Sequence, residues 1–191
     1  MDSRAGKDYA GTCRLVLEEL EKTLAEVEPA AVSALVDEML SARTVFVVGV
    51  GRVMLCMQAF AKRLNHIGLK ASCVGDTNEP PAGPGDLLVA ASGSGESVVP
   101  VAIARTARRL GARVAHIGTD PRSSLAQAAH RFVRLPAPTK LARPGEPPSR
   151  QPMTNRFDQS LYLFCDVVAM IIMDRRGVEP AALWTRHANL E

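Results

Sequence analysis

Residues 87–97 read LLVAASGSGES, an aliphatic run that ends abruptly in alternating serines and glycines. The aliphatic half is typical of a strand that is buried on both faces of a parallel sheet. The polar half fits two interpretations: a plain Ser/Gly connector between a strand and a helix, or a backbone cradle for a phosphate group. Its position directly after a buried strand favours the cradle.

The same alternation of strand and helix recurs along the chain and predicts the fold. Short apolar runs predict five strands, at residues 44–49, 70–75, 86–91, 113–118 and 131–135. Helices are expected at 53–67, 97–110, 123–129 and 154–175, and two more, the second opened by Pro29, precede the first strand within residues 7–42. The sequence therefore predicts a doubly wound, flavodoxin-like α/β/α sandwich with a mostly parallel five-stranded sheet.

We interpret the 191 residues as one domain in four parts: N-terminal helices (1–42), an α/β core (43–135), a proline-rich loop (136–152), and a C-terminal helix with its tail (153–191). Because loops longer than about 12 residues in compact domains tend to be functional, the proline-rich loop is a candidate border of an active site or a partner contact. The last helix is apolar nearly all round, which predicts deep burial or packing against another subunit.

Charge and composition exclude several classes of protein. The net charge is only +3, from 23 basic and 20 acidic residues, too small an imbalance for a nucleic-acid or membrane surface. The N-terminus has no apolar signal-peptide core, and the longest apolar stretch is interrupted by Asp166 and is too short to cross a bilayer. The four cysteines show no metal-binding or redox spacing and are expected to be free thiols in the cytoplasm.

Two turns are candidates for ligand binding, because ligands of doubly wound sheets bind outside the carboxyl ends of the strands. One is GVGRVM at residues 49–54 and the other is SGSGES at 92–97, and each leads into a helix N-terminus that favours an anion. In the second turn the hydroxyls of Ser92, Ser94 and Ser97 add hydrogen-bond donors for a phosphate. The first turn is only a weak dinucleotide motif, since Met54 replaces the third glycine.

Several further motifs extend this pattern: NHIG at 65–68, GDTNEPP at 75–81, SRQPMTNRFDQS at 149–160 and RHANLE at 186–191. Together with the two turns they resemble the sugar isomerase (SIS) domain family and, within it, the 6-phospho-3-hexuloisomerases. The resemblance implies an enzyme without metal or cofactor that interconverts D-arabino-hex-3-ulose 6-phosphate and fructose 6-phosphate through an enediol(ate), in the ribulose monophosphate pathway. It also implies a homo-oligomer, typically a tetramer, with active sites at subunit contacts.

The resemblance assigns roles to particular residues. His66 and Asp158 match the catalytic histidine and carboxylate, although a histidine at a helix end is also a favourable partner for the helix dipole. The residues that match substrate- or phosphate-binding positions are Gly51, Arg52, Ser92, Gly93, Ser94, Gly95, Ser97 and Arg150. Either arginine could equally be an interface or surface charge.

Some positions depart from the pattern of the family. Val53 stands where a serine hydroxyl is usual, Asp158 replaces a glutamate that is one methylene longer, and Asp76 and Glu79 replace a glutamate and a threonine. One lost hydrogen bond to a charged group costs about 1.5–3 kcal/mol. Three functions therefore remain open: a slow hexuloisomerase, an isomerase of another phosphosugar, and a SIS module that binds phosphosugars without turnover.

Overall fold

The computed structural model describes residues 8–190 and contains one five-stranded parallel sheet. The strands are β1 (Val45–Val48), β2 (Ala71–Cys73), β3 (Leu87–Ala91), β4 (Arg113–Gly118) and β5 (Arg131–Arg134). Their order is β2-β1-β3-β4-β5, the flavodoxin-like order. The predicted doubly wound α/β fold is thus confirmed. Strand β2 is shorter than expected because it is an edge strand that pairs with β1 alone.

In the described part of the chain, six helices surround the sheet: α1 (Tyr9–Ala25), α2 (Pro29–Ser41), α3 (Arg52–Ile67), α4 (Val98–Arg109), α5 (Ser124–Ala128) and α6 (Asn155–Arg176), followed by a 3-10 segment at Pro180–Arg186. The Asp8 carboxylate accepts a hydrogen bond from the Gly11 N–H and caps α1. The expected helix start at residue 7 lies outside the described residues. Gly68 and Gly177 adopt left-handed backbone conformations that end α3 and α6.

The sheet separates two hydrophobic cores, and β1 contributes to both because successive side chains of a strand point to opposite faces. Val45 and Val47 face the core formed with α2, α3 and α6, whereas Phe46 and Val48 face the core formed with α4 and α5. Every residue of β1 and β3 is buried, as the continuous apolar runs predicted. The parallel pairing of these two strands places their carboxyl ends side by side.

One charged pair anchors the opposite, amino-terminal edge of the sheet. Asp86 is almost fully buried and accepts hydrogen bonds from Arg43 Nε at 3.0 Å, Arg43 Nη2 at 2.6 Å and the Gly83 N–H at 2.8 Å. Burial opposes ionisation of this carboxyl, but the hydrogen bonds outweigh it and lower the pKa of Asp86 below its usual value. The pair therefore holds the segments that precede β1 and β3 together.

The proline-rich loop has no helix or strand between residues 136 and 152 and is fixed against α1 instead. The Glu19 carboxylate of α1 accepts hydrogen bonds from Ser149 Oγ at 2.6 Å, the Arg150 N–H at 2.7 Å and Gln151 Nε2 at 3.1 Å. Burial raises the pKa of Glu19, but these donors outweigh it and the net shift is downward. The SRQ part of the SRQPM motif thus closes the loop onto the N-terminal helix.

Helix α6 is only partly buried, with Phe157, Leu161 and Phe164 on its inner face. Its outer face exposes four large apolar side chains, Tyr162, Leu163, Val167 and Met170. Within residues 8–190, none of the helices is long and apolar enough to cross a membrane.

Candidate active site

The two turns singled out in the sequence meet at one edge of the sheet. Strands β1 and β3 are parallel neighbours, with Val45 opposite Leu87 and Val48 opposite Ala90, so their carboxyl ends lie side by side. In this strand order the chain leaves β1 toward β2 and leaves β3 toward β4, in opposite directions across the sheet. Such a reversal creates the crevice in which doubly wound proteins bind ligands.

The segment from residue 92 to residue 97, called the phosphate turn below, is held in a tight loop by its own serines. The Gly95 N–H donates to Ser92 Oγ at 3.1 Å, and the Glu96 N–H donates to Ser94 Oγ at 3.3 Å. Ser92 Oγ also lies 3.2 Å from Ser97 Oγ. Ser97 is the N-cap of α4, and within the described chain its side chain makes no capping hydrogen bond. A cluster of hydroxyls therefore lies at a helix N-terminus, which is suited to an oxyanion.

Two glycines of the phosphate turn lie close to neighbouring side chains, and at Gly95 no larger residue fits. Gly95 has a φ of +66°, and a Cβ there would overlap the side chain of Ser123. A Cβ on Gly93 would lie 3.3 Å from the ring of Phe157, in the first turn of α6. The glycines thus let the turn pack between α5 and α6, which composition alone could not reveal.

Arg52 and Asp158 form an ion pair beside the phosphate turn, although they are far apart in sequence. Arg52 Nε donates to Asp158 Oδ2 at 2.9 Å, which joins the start of α3 to the first turn of α6. Asp158 is 3% exposed, whereas 65% of the Arg52 side chain remains exposed. The second carboxylate oxygen, Oδ1, is buried and accepts no hydrogen bond from the described residues. One oxygen of this carboxylate is therefore oriented by Arg52 while the other is uncommitted.

Cys56 lies one turn further along α3 and contacts the same carboxylate residue. Its Sγ–H donates to the backbone oxygen of Asp158 at 3.4 Å. Burial, and then the charge of Asp158, raise the pKa of the Cys56 thiol. The thiol is thus protonated at neutral pH and supports α6 rather than acting as a nucleophile. All four cysteines are free.

His66 lies at the opposite end of α3 from Arg52 and is not part of this cluster within one chain. It follows Arg52 by fourteen residues of continuous helix. At about 1.5 Å per residue, this separates the two residues by about 21 Å along the helix axis. His66 is buried, its ring stacks on the ring of His187 with 5.2 Å between centroids, and its backbone oxygen accepts a hydrogen bond from Arg186 at 3.4 Å. The RHANLE motif therefore covers His66.

Arg150 and Val53 make contacts that the sequence did not indicate. The backbone N–H of Arg150 donates to Glu19, so the structure ties this residue to α1. The Val53 side chain packs against the core, and its Cγ1 lies 2.8 Å from where a Cβ on Gly49 would be. The first turn therefore presents the Arg52 guanidinium but no hydroxyl from position 53. The extra acid Glu79 is held locally, because it accepts the Gly75 N–H at 2.7 Å.

Residues after β4 and in the proline-rich loop complete this edge and were missed in the sequence. Thr119 Oγ1 donates to the backbone oxygen of Gly93 at 2.8 Å. Arg143 of the loop pairs with Asp120 at 2.5 Å and lies 3.5 Å from Glu96 Oε1 in the phosphate turn. Their position after a strand next to β3 is a signal that could have identified Thr119 and Asp120; nothing local marks Arg143. Within residues 8–190, no three His, Cys, Asp or Glu side chains cluster as a metal site.

A doubly wound fold with a serine- and glycine-rich turn at its crevice is the architecture of proteins that bind phosphorylated sugars in SIS domains. The chain belongs to this family: the model of the SIS domain matches residues 38–164.

Relatives of known name cover almost the whole chain. The 3-hexulose-6-phosphate isomerase of Mycobacterium gastri is 40% identical over 97% of this chain and 93% of its own. The enzyme of the same name from Bacillus subtilis is 36% identical over 92% of this chain and 95% of its own. A crystal structure from Methanococcus jannaschii, from which the function of a 3-hexulose-6-phosphate isomerase was inferred, superposes with a TM-score of 0.81 at 26% identity and covers 94% of this chain and 99% of its own.

Proposed function

We propose that this protein is a 6-phospho-3-hexuloisomerase, which interconverts D-arabino-hex-3-ulose 6-phosphate and fructose 6-phosphate. The observation that carries the proposal is the phosphate turn at the crevice next to a buried, oriented carboxylate, in a chain that is 40% identical to an enzyme of this name over nearly its full length. The site thus combines an anion-binding element with an acid–base group.

The phosphate turn would anchor the substrate. The hydroxyls of Ser92, Ser94 and Ser97 and the N–H groups at the start of α4 would donate to the phosphate, each charged hydrogen bond contributing about 1.5–3 kcal/mol. Gly93 and Gly95 shape the turn, and Gly51 is the N-cap of α3, which allows the backbone before Arg52 to turn at a φ of +57°. Anchoring the phosphate places the sugar carbonyl region over the neighbouring Arg52–Asp158 pair.

Asp158 would act as the base. In the direction from fructose 6-phosphate, a carboxylate oxygen takes the proton from carbon 3, which leaves a 2,3-enediolate with its negative charge on O2. The hydroxyl proton of O3 then passes to O2, and the protonated carboxyl returns its proton to carbon 2 as the bond from carbon 3 to O3 becomes the carbonyl. Arg52 orients Oδ2, while Oδ1, which is buried and accepts no hydrogen bond from the described residues, would take the proton from carbon 3 once the substrate reaches it. The exposed remainder of the Arg52 guanidinium is suited to stabilise the enediolate oxygen. This acid–base chemistry uses only side chains of the protein.

His66 would come from a second subunit. Within one chain α3 separates it from Asp158 by a distance far greater than one sugar phosphate, so both can act on one substrate only across a subunit contact. The exposed apolar face of α6 supports a homo-oligomer, because contiguous apolar surface of this kind marks protein contacts. We place Arg150 at the border of the site, and we place the enzyme in the cytoplasm, in agreement with its four free thiols.

The first experiment is the incubation of fructose 6-phosphate with the protein in deuterated buffer, followed by NMR. We expect the 3-hexulose product, and we expect deuterium from the buffer to replace the carbon-bound proton that the base moves. Deuterium exchange without this product would indicate that the protein is an isomerase of another phosphosugar. Binding without exchange or product would favour the alternative function, a non-catalytic phosphosugar-binding module, which the missing hydroxyl at Val53 supports.

The placement of His66 has its own test by subunit mixing. His66→Ala and Asp158→Asn should each abolish turnover while sparing phosphosugar binding. After the two variants are denatured and refolded together, some sites pair an intact His66 with an intact Asp158 from another chain, and activity should return. If each variant is inactive and their mixture stays inactive although the subunits have exchanged, His66 does not act across a subunit contact.

A further inference from the structure

The proline-rich loop sends one charged side chain toward the phosphate turn. Arg143 forms a hydrogen-bonded ion pair with Asp120 Oδ2 at 2.5 Å through Nη1, while its Nη2 lies 3.5 Å from Glu96 Oε1. About a third of each of the Arg143 and Glu96 side chains is exposed. Arg143 thus bridges Asp120, the second residue after β4, and the phosphate turn, across the carboxyl edge of the sheet.

Glu96 brings a negative charge into a turn that would hold an anion. Its backbone N–H donates to Ser94 Oγ, and its carboxylate accepts the Ser124 N–H at 3.0 Å. The hydrogen bonds from Ser124, followed by those from Arg143, lower the pKa of Glu96, so the side chain is ionised at neutral pH. Because this carboxylate is held in place next to the serines, its negative charge would repel a bound phosphate.

We propose that Arg143 sets the affinity for phosphorylated ligands by neutralising Glu96, and is therefore a positioning and specificity residue of the phosphate site. This inference rests on the proposed function in that the ligand is taken to bind at the phosphate turn. A negative charge next to the serines that hold a phosphate dianion, in partly solvated surroundings, weakens binding by about tenfold when it is not neutralised. Arg143 removes this penalty, and the proline-rich loop acquires a role in substrate binding through it.

A double-mutant cycle tests the coupling. Arg143→Gln should raise the KM for fructose 6-phosphate about tenfold and leave kcat within twofold. In the background of Glu96→Gln, whose amide oxygen can still accept the Ser124 N–H, the same Arg143→Gln change should raise KM less than threefold. A residue that only supports the loop would give the same loss in both backgrounds.

Arg122→Gln is the matched control, since Arg122 also pairs with Asp120, at 3.3 Å, but not with Glu96. It should leave KM unchanged. An equal increase in KM for Arg122→Gln, or an undiminished effect of Arg143→Gln in the Glu96→Gln background, would overturn the proposal.

Binding separates this test from that of the proposed function. The dissociation constants of inorganic phosphate and fructose 6-phosphate, measured by calorimetry on the same variants, should follow the same pattern. If the wild-type protein binds both but isomerises nothing, the proposed function fails while the binding cycle still decides the role of Arg143. If the wild-type protein binds neither ligand, the phosphate site and the role of Arg143 both fail.

Discussion

Replacing Asp158 by Asn separates catalysis from folding. Asn has the shape of Asp, so the first turn of α6 keeps its packing. Its amide oxygen can still accept the Arg52 Nε–H, but the neutral amide can neither take a proton nor form an ion pair with Arg52. Loss of a positioned base lowers kcat by about 10²–10⁴-fold, which corresponds to about 3–5 kcal/mol in the activation barrier.

The cost in stability is much smaller, and the structure shows why. The Arg52 side chain is 65% exposed, so water screens the ion pair and re-solvates the guanidinium when its partner is neutral. The buried carboxylate also gives up its desolvation penalty when it becomes a neutral amide, so the net contribution of the pair stays near the value of about 0.2–1 kcal/mol for pairs in contact with water. For a chain of this size that shifts Tm by at most about 4 °C. Activity and stability should therefore respond very differently to the same change.

The assay couples the conversion of D-arabino-hex-3-ulose 6-phosphate to the detection of fructose 6-phosphate, with Tm measured on the same samples. Asp174→Asn is the control, because Asp174 lies on the exposed end of the same helix, far from Arg52. It should leave kcat unchanged. If Asp158→Asn retains kcat within threefold of wild type with Tm unaltered, Asp158 is not the base.

Three other predictions concern the turn and the buried charges. Gly95→Ala should weaken binding of fructose 6-phosphate at least tenfold by calorimetry, because a Cβ at φ +66° overlaps Ser123; unchanged affinity would contradict the packing argument. His116 is buried, and loss of solvation is the main cause that lowers its pKa to about 4 in the folded protein. As the pH falls, the unfolded chain protonates His116 before the folded protein does, so the free energy of unfolding decreases by about 2–3 kcal/mol between pH 6.5 and 4. His116→Leu should flatten that part of a urea-denaturation profile, and a persisting slope would assign it to another group. The pKa of Asp86 is lowered in the folded protein, so its carboxylate stabilises the fold above pH 4, and this contribution is lost as the pH falls through the folded-state pKa. Asp86→Asn should therefore lower the free energy of unfolding by about 2 kcal/mol at pH 7 and by much less at pH 2. An equal loss at both pH values would refute the role of the charge.

Most of the secondary structure could be predicted from the sequence, because its causes are local. The predicted strands at residues 44–49 and 86–91 contain the continuous apolar runs that are typical of doubly buried strands, and the strands found there are Val45–Val48 and Leu87–Ala91. Pro29 and Gly68 mark a helix start and a helix end through their backbone preferences, which depend only on neighbouring residues. Alternation of the two element types then left few possible folds.

The candidate site was only partly predictable. The phosphate turn was visible because serines and glycines after a buried strand form a contiguous motif. The pairing of Arg52 with Asp158 was not, since they are separated by more than 100 residues and meet only when α3 and α6 pack together. The motif SRQPM suggested a substrate contact for Arg150, whereas the structure shows that the backbone N–H of Arg150 also donates a hydrogen bond to the Glu19 carboxylate.

The sequence by itself thus determined the order of strands and helices along the chain, and the turn that can hold a phosphate. Only the tertiary structure decided that β1 and β3 are neighbours, that Arg52 orients Asp158, and that His66 lies at the far end of α3. The physical reason is that backbone propensities act over a few residues, whereas a site forms from side chains that the packing of the whole sheet and its helices brings together.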